Sequence, residues 1–335
     1  MASSNRQSNS LPQPWRRTPL IHSTILSKHA GCQIHLKLEN LQPSGSFKSR
    51  GIGQFLLAHL AKANNHESIH FYISSGGNAG LACASAAVLL GARATIVVPT
   101  SASPYMIEKL RAAGAEDVVQ TGASWVEADT HLREVVMPEA RQRGETTVYV
   151  PPFDAQEVWD GHSTLVEEIL DQLEGSPDAI VCSVGGGGLF SGIMQGLDAA
   201  SMSDVKVLAV ETEGAHSLAL SLEQGRLSTL PAITSFATSL GARTVAAKAF
   251  EYAQRDSVDS VVLKDVDAME GCVRFADDER IMVEPACGVS IALCYKDRLH
   301  SRLPALTEKS KVVIVVCGGS NITTELLLNW EKQVN

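Results

Sequence analysis

The chain of 335 residues carries 37 acidic and 28 basic side chains, a formal net charge of −9, with 44% apolar and 5% aromatic residues. That is more apolar side chain than a disordered chain holds, and an acidic chain without a basic block lacks the clustered Lys and Arg that nucleic acid demands. No apolar run reaches the roughly 18 residues of a membrane helix, and the length suits about two domains.

The opening MASSNRQSNSLPQPWRR is polar and acid-free. It reads as a disordered tail, and its composition leaves a mitochondrial transit segment open as the alternative. Ser44-Gly45-Ser46-Phe47-Lys48-Ser49-Arg50-Gly51 then leads into the helical stretch GIGQFLLAHLAK. A cation at a helix start is electrostatically disfavoured, which lowers a lysine pKa as covalent catalysis by an amine requires. An ordinary surface lysine is the other reading. HFYIS, from His70, predicts a strand, followed by Ser74-Ser75-Gly76-Gly77-Asn78-Ala79-Gly80 and the helix LACASAAVLLG. That turn offers hydroxyls, an amide and free N–H groups to a carboxylate, or serves as a simple cap. TIVVP predicts a strand ending at Pro99, and SASPYMIEKLRAAG a helix closed by Gly114.

After a crossover near Tyr149–Phe153, AIVCSV, from Ala179, predicts a strand that runs into Gly185-Gly186-Gly187-Gly188-Leu189 and the helix LFSGIMQGLDAA. Glycines there let the backbone wrap a phosphate. No Gly-Lys-Ser/Thr follows, so it is not a Walker A loop, and Phe190 at the sixth position spoils a GxGxxG. The strand VLAVE nevertheless ends in Glu211 at about the spacing of a ribose-binding acid, which makes a nicotinamide dehydrogenase a rival on this loop alone. VVIVVC ends at Cys317 and opens Gly318-Gly319-Ser320-Asn321, ahead of the helix ITTELLLNWEKQ. Cys317 is either a thiol facing the crevice or a small buried hydrophobe.

Short β-branched runs without alternation are strands buried on both faces, and their alternation with helices implies parallel sheets. The expected fold is therefore α/β, with two open-sheet domains: a small one over 39–149, inserted into a large one made of 1–38 and 150–335. Ligands of such sheets sit beyond the carboxyl ends of the strands, where three Gly-rich turns offer free N–H groups at helix starts. The odd count of seven cysteines without a CxxC pair argues for reduced thiols and a cytoplasmic compartment rather than a disulfide framework. Zinc spacings, HExxH, GxSxG and EF-hand loops are all missing from the sequence.

In their order along the chain, SGSFKSRG, SSGGNAG, GGGGL, ETEGAHS, EPACG and CGGSN resemble the fold type II enzymes of pyridoxal 5′-phosphate (PLP), which share the tryptophan synthase β-like fold. The resemblance runs from about Arg17 to Leu328 and is greatest to the catabolic L-serine/L-threonine dehydratases of animals and fungi. It overturns the dehydrogenase reading, which accounts for neither Lys48 nor Cys317. The resemblance implies that Lys48 joins the cofactor aldehyde and is the catalytic base, and that Phe47 packs on the pyridine ring. It gives the phosphate to the N–H groups of Gly185, Gly186, Gly187, Gly188 and Leu189. Asn78 would meet the 3′-oxygen, and Cys317 the pyridine nitrogen. Ser75, Gly76, Asn78 and Ala79 would form the substrate-carboxylate loop. Glu211, with Gly185, Ala215, Ser217, Leu240 and Ala242, would surround a monovalent cation such as potassium.

The implied reaction is β-elimination, serine to pyruvate and threonine to 2-oxobutyrate, each with ammonia, with the PLP phosphate as the acid at the leaving hydroxyl. The implied assembly is a homodimer acting on a small amino acid, with neither nucleic acid nor membrane as partner. Family racemases place a hydroxyl where this chain has Gly76, which speaks against racemisation. Gly76 also lacks the methyl that liver-type relatives often carry, so room for substrates bulkier than serine is expected. Regulated deaminases carry a C-terminal effector domain, and with the chain ending at Asn335 feedback by isoleucine is not expected. Cysteine synthases resemble SGNTG at the Asn loop and commonly place serine at the pyridine nitrogen. β-Replacement or elimination on a specialised amino acid is the enzymatic alternative, and a catalytically inactive binding protein the non-enzymatic one.

Overall fold

The computed structural model describes residues 11–63 and 68–334. Within them lie strands β1 (Leu20–Ser23), β2 (Gln33–Lys37), β3 (Ile69–Ser74), β4 (Arg93–Val98), β5 (Asp117–Gln120), β6 (Thr146–Tyr149), β7 (Ala179–Ser183), β8 (Lys206–Thr212), β9 (Val258–Leu263) and β10 (Lys311–Val315). They form a six-stranded sheet in the order β1-β2-β10-β7-β8-β9 and a four-stranded sheet in the order β5-β4-β3-β6. Every pairing is parallel except that of β1 with β2. The α/β class with two open sheets is as the sequence implies.

The five strands expected from apolar runs, β3, β4, β7, β8 and β10, all occupy inner positions, because only a strand covered on both faces can be apolar throughout. Of the other five, β1, β5, β6 and β9 are sheet edges, and β2 alternates in burial along QIHLK. The smaller core takes Ile52, Phe55 and Leu56 from the helix Lys48–Ala61 and Ile73, Ile96 and Val98 from the strands. The helix Gln156–Gln172 spans the two cores, giving Val158 to the smaller and Leu165, Val166 and Ile169 to the larger.

A buried ionic cluster fastens the start of the Lys48 helix. The Arg50 guanidinium meets Glu39 at 2.8 Å and Glu168 at 2.7 Å, and Lys37 meets Glu168 at 2.6 Å. Two cations balance two carboxylates, so removing any one member strands a buried charge at a cost of about 3–5 kcal/mol.

Residues 1–10 of the expected tail lie outside the described residues. From Leu11 the chain is placed, which corrects the tail reading for 11–17: Leu11 joins the smaller core, Trp15 is buried and the Arg16 N–H donates to Gln42 at 2.9 Å. All seven cysteines are free and buried. No helix among the described residues is long and apolar enough to cross a membrane.

Candidate active site

The carboxyl ends of β3, β7 and β10 each open a glycine-rich turn, and the backbone draws two of the segments expected at the site together. The Phe47 N–H donates to the Cys317 carbonyl at 3.1 Å, the Gly319 N–H to the Gly45 carbonyl at 2.9 Å, and Ser46 forms a β-bridge with Gly318. Lys48 is thereby held beside the turn after β10, some 270 residues away in sequence.

Lys48 opens its helix with no acidic residue in the first turn. Its amine donates to the Pro152 carbonyl at 2.5 Å and lies 5.3 Å from the Phe47 ring centroid. Burial brings the amine down from the usual 10.5 to about 8, the Cys317 thiol acting in the opposite sense. Behind Phe47 stands His162, its ring 5.1 Å away centroid to centroid. His162 is fully buried with neither ring nitrogen hydrogen-bonded among the described residues. Burial and the neighbouring cations Lys48 and Arg50 hold it well below the usual histidine range, so the ring is neutral.

The glycine loop Gly185–Gly188 ends β7 and opens the helix Gly188–Ala199. Two positions show why side chains are excluded. Gly187 has φ +88°, and a Cβ on Gly186 would land in the ring of Phe153. The N–H groups of the first helical turn, at Gly188, Leu189 and Phe190, have no acceptor within the helix. The result is a side-chain-free cradle with free donors, suited to a phosphate.

At the Asn loop, the helix Asn78–Leu89 starts without a side-chain cap, and the Gly77 N–H reaches Ser75 Oγ at 3.4 Å. Asn78 and Ala79 are buried in its first turn. A methyl on Gly76 would face Val98 Cγ1 at 3.3 Å and Ala102 at 3.8 Å. The space expected from the missing methyl therefore borders the end of β4.

Cys317 is 6% exposed, and its Sγ lies 3.5 Å from Ser183 Oγ. Hydrogen bonds from Cys287 and Ser183 lower its pKa against the opposing pull of burial.

Glu211, at the end of β8, is 0% exposed and accepts the N–H groups of Leu218 at 2.9 Å and Ala219 at 2.8 Å. It forms no ion pair among the described residues, and burial pushes its pKa up to about 8 despite those two donors. Ser217 Oγ beside it has no hydrogen-bond partner. Leu240 packs on Gly185 and its carbonyl accepts from the Ala242 N–H at 2.7 Å, while Ala215 donates to Thr212 at 2.9 Å. A buried carboxylate with two donors and no cation suits a weakly hydrated monovalent ion.

Sequence reasoning assigned no role to Pro152, Phe153, Ser239 or Glu284. Glu284 stood within EPACG, and an acid directly before a helix-opening proline was the available signal. Nothing in the local sequence around Phe153 announces its approach to a loop thirty residues on.

A family model described as pyridoxal-phosphate dependent enzyme matches residues 11–318. The chain belongs to this family. Its residues fit the cofactor: a desolvated lysine amine, a side-chain-free phosphate seat and a buried, unpartnered Ser46 hydroxyl next to them. Among PLP-dependent relatives, an L-serine dehydratase of Saccharomyces cerevisiae (strain AWRI1631) is 42% identical over 337 residues, covering 96% of this chain and 98% of the yeast protein. The serine dehydratase-like protein of Homo sapiens is 44% identical over 317 residues, 92% of each chain. The crystal structure of a fungal L-serine ammonia-lyase from Rhizomucor miehei matches with TM-score 0.89 at 35% identity, covering 97% of this chain and 100% of that one.

Proposed function

We propose that this PLP-dependent enzyme is an L-serine ammonia-lyase, converting L-serine to pyruvate and ammonia, and that it also converts L-threonine to 2-oxobutyrate and ammonia. The observation that carries the reading is the buried Lys48 amine, with its pKa near 8, beside the turn after Cys317. The names of the yeast and Rhizomucor relatives support the serine reaction.

PLP, when bound, supplies the electron sink for cleavage at the amino-acid Cα. The chain's own residues do the rest. Lys48 Nζ is neutral in a larger fraction than an ordinary lysine near pH 7, so it can attack a carbonyl carbon and take the Cα proton. The Pro152 carbonyl orients it, and the Arg50 cluster fixes the helix turn on which it stands. Asn78, Ala79, Gly76 and the Ser75 hydroxyl line a helix N-terminus that seats the substrate carboxylate. The loop 185–189 would hold the phosphate through N–H groups, and Phe47 would pack against the ring. Cys317 would meet the ring nitrogen. A thiol is a weak donor and would leave that nitrogen unprotonated, which would favour elimination over transamination. Glu211, Ser217 and the carbonyls of Gly185, Ala215, Leu240 and Ala242 would hold a monovalent cation such as potassium. Closure of the small unit, 39–149, against the large one, 1–38 with 150–335, excludes water from the reaction. A homodimer in the cytoplasm completes the reading, and seven unpaired buried cysteines support a reducing compartment.

The deciding assay supplies PLP and either amino acid to the purified chain and follows pyruvate and 2-oxobutyrate. Both form with the parent, and neither with Lys48→Ala. A substituted amino acid formed in place of pyruvate when a thiol is added would turn the reading to β-replacement, and D-serine would turn it to racemisation.

A further inference from the structure

Asn78 belongs to the small-sheet unit, yet its side chain is held by the large one. Its Oδ1 accepts from the Ser320 N–H at 3.0 Å, and its Nδ2 donates to Glu284 Oε1 at 2.8 Å. The second oxygen of Glu284 accepts from the Asn321 N–H at 3.0 Å. The backbone from the Ser320 nitrogen to the Asn321 nitrogen thus closes a ring of three hydrogen bonds through two side chains. Ser239 completes the group: its Oγ lies 3.1 Å from Asn321 Nδ2 and 3.4 Å from Asn78 Nδ2.

Glu284 is 3% exposed, Asn78 is 8% exposed, and no cation pairs with Glu284 among the described residues. A buried carboxylate without a counter-ion is costly, and here amides and a hydroxyl offset that cost. The fold makes room for it. Gly319 has φ +111°, and a Cβ there would land on the Glu284 carboxyl group. The turn after Cys317 is therefore shaped around this acid.

We propose that Glu284 is the positioning residue that fixes which end of the Asn78 amide faces the cleft. An asparagine side chain has an accepting end and a donating end. Reversing it here would set Asn78 Oδ1 against a carboxylate oxygen and its NH2 group against the Ser320 N–H, acceptor on acceptor and donor on donor. The oxygen is thus committed to the Ser320 backbone and one N–H to Glu284. At its nitrogen end Asn78 keeps a second N–H, met only at 3.4 Å by Ser239 Oγ and held in one orientation as a donor. It selects a ligand oxygen that accepts, such as an ionised phenol oxygen. Glu284 also ties the Asn loop of the small unit to the 318–321 turn of the large one, so substrate-loop and cofactor-loop geometry are set by the same carboxylate. The link to a cofactor oxygen rests on the PLP reading above; the orientation of Asn78 does not.

The test compares the full-length parent with Glu284→Gln and Glu284→Ala. In the apoprotein, the side-chain 1H–15N amide signals of Asn78, assigned by their loss in Asn78→Asp, report its hydrogen bonds directly. The parent is expected to show one displaced, slowly exchanging proton, and Glu284→Ala to lose it. With PLP added, Glu284→Ala should bind about tenfold more weakly, as loss of a charge-assisted hydrogen bond implies, and its visible absorption band should shift. Glu284→Gln keeps the volume but can pair with either end of Asn78, so it should fall between the two; it decides the matter if Glu284→Ala does not fold. An Asn78 signal unchanged by either variant would overturn the assignment, as would an unaltered cofactor band and affinity. A parent that develops no visible band with PLP would sink the functional reading instead, leaving the Asn78 signals to decide on Glu284.

Discussion

Gly186→Ala is the sharpest perturbation of the phosphate cradle. The added methyl carbon would sit 2.5 Å from Phe153 Cδ2 and closer still to Cγ and Cδ1. Carbon atoms pack at about 3.5–4.0 Å, so the ring must withdraw by at least about 1 Å. Phe153 is hemmed in: it packs on the larger core, and its carbonyl accepts from Trp159 Nε1 at 2.9 Å. It also follows Pro152, whose carbonyl holds the Lys48 amine. Overpacking of this kind costs about 1–3 kcal/mol, which corresponds to roughly fivefold to 150-fold weaker PLP binding if the cradle bears it. The assay is PLP titration by absorbance, with denaturant unfolding of the apoprotein as a control for global stability. Phe153→Ala removes the obstructing ring, so Gly186→Ala should cost little in that background, giving a coupling of about 1–3 kcal/mol in the double-mutant cycle. Equal losses in both backgrounds would refute the claim that ring contact dictates this glycine.

Four further outcomes are expected. The rate at which PLP attaches to the apoprotein should rise with pH through about 8, because burial lowers Lys48 and only the neutral amine attacks; stopped-flow absorbance showing a midpoint near the ordinary 10.5 would contradict this. Replacing potassium by a large organic cation should reduce activity and melting temperature of the parent, while Glu211→Gln, which removes the buried charge, should be insensitive to the exchange in a thermal melt. Cys317→Asp should slow pyruvate release about tenfold or more and raise pyridoxamine phosphate formation; unchanged partitioning on product analysis would remove the role given to the thiol. Gly76→Ala should alter the ratio of kcat/KM for serine over threonine by roughly twofold to tenfold, since its methyl presses on Val98 at 3.3 Å rather than on open space; an unchanged ratio would detach this position from substrate choice.

The inner strands were legible because double burial leaves a signature: AIVCS at β7 and VVIV within β10 contain almost nothing but apolar side chains. Edge strands carry no such mark. DVVQ at β5 and TTVY at β6 present one side to solvent and mix polar with apolar residues, so local pattern does not separate them from loops. Lys48, Asn78 and the glycine loop were readable because turn chemistry at strand ends is local. Glu284, Ser239 and Phe153 act across the fold, and their partners lie between 33 and 206 residues away in sequence for Gly186 and Asn78. No window on the sequence brings those pairs together; burial of an acid ahead of a proline is visible only once the helix packs.

The order in which the large sheet is assembled has a consequence for biosynthesis. Its final strand in the chain, β10, lies between β2 and β7 in the middle of the sheet. Until residues 311–315 emerge from the ribosome, β2 and β7 each present an unpaired strand edge, the kind of surface that invites aggregation. The four-stranded sheet has all its strands by residue 149 and can form early. The nascent protein is thus a finished small unit attached to an open large one, in which the turn that packs beside Lys48 has yet to take its place. A chain interrupted shortly before β10 would be expected to yield insoluble protein rather than a weak enzyme.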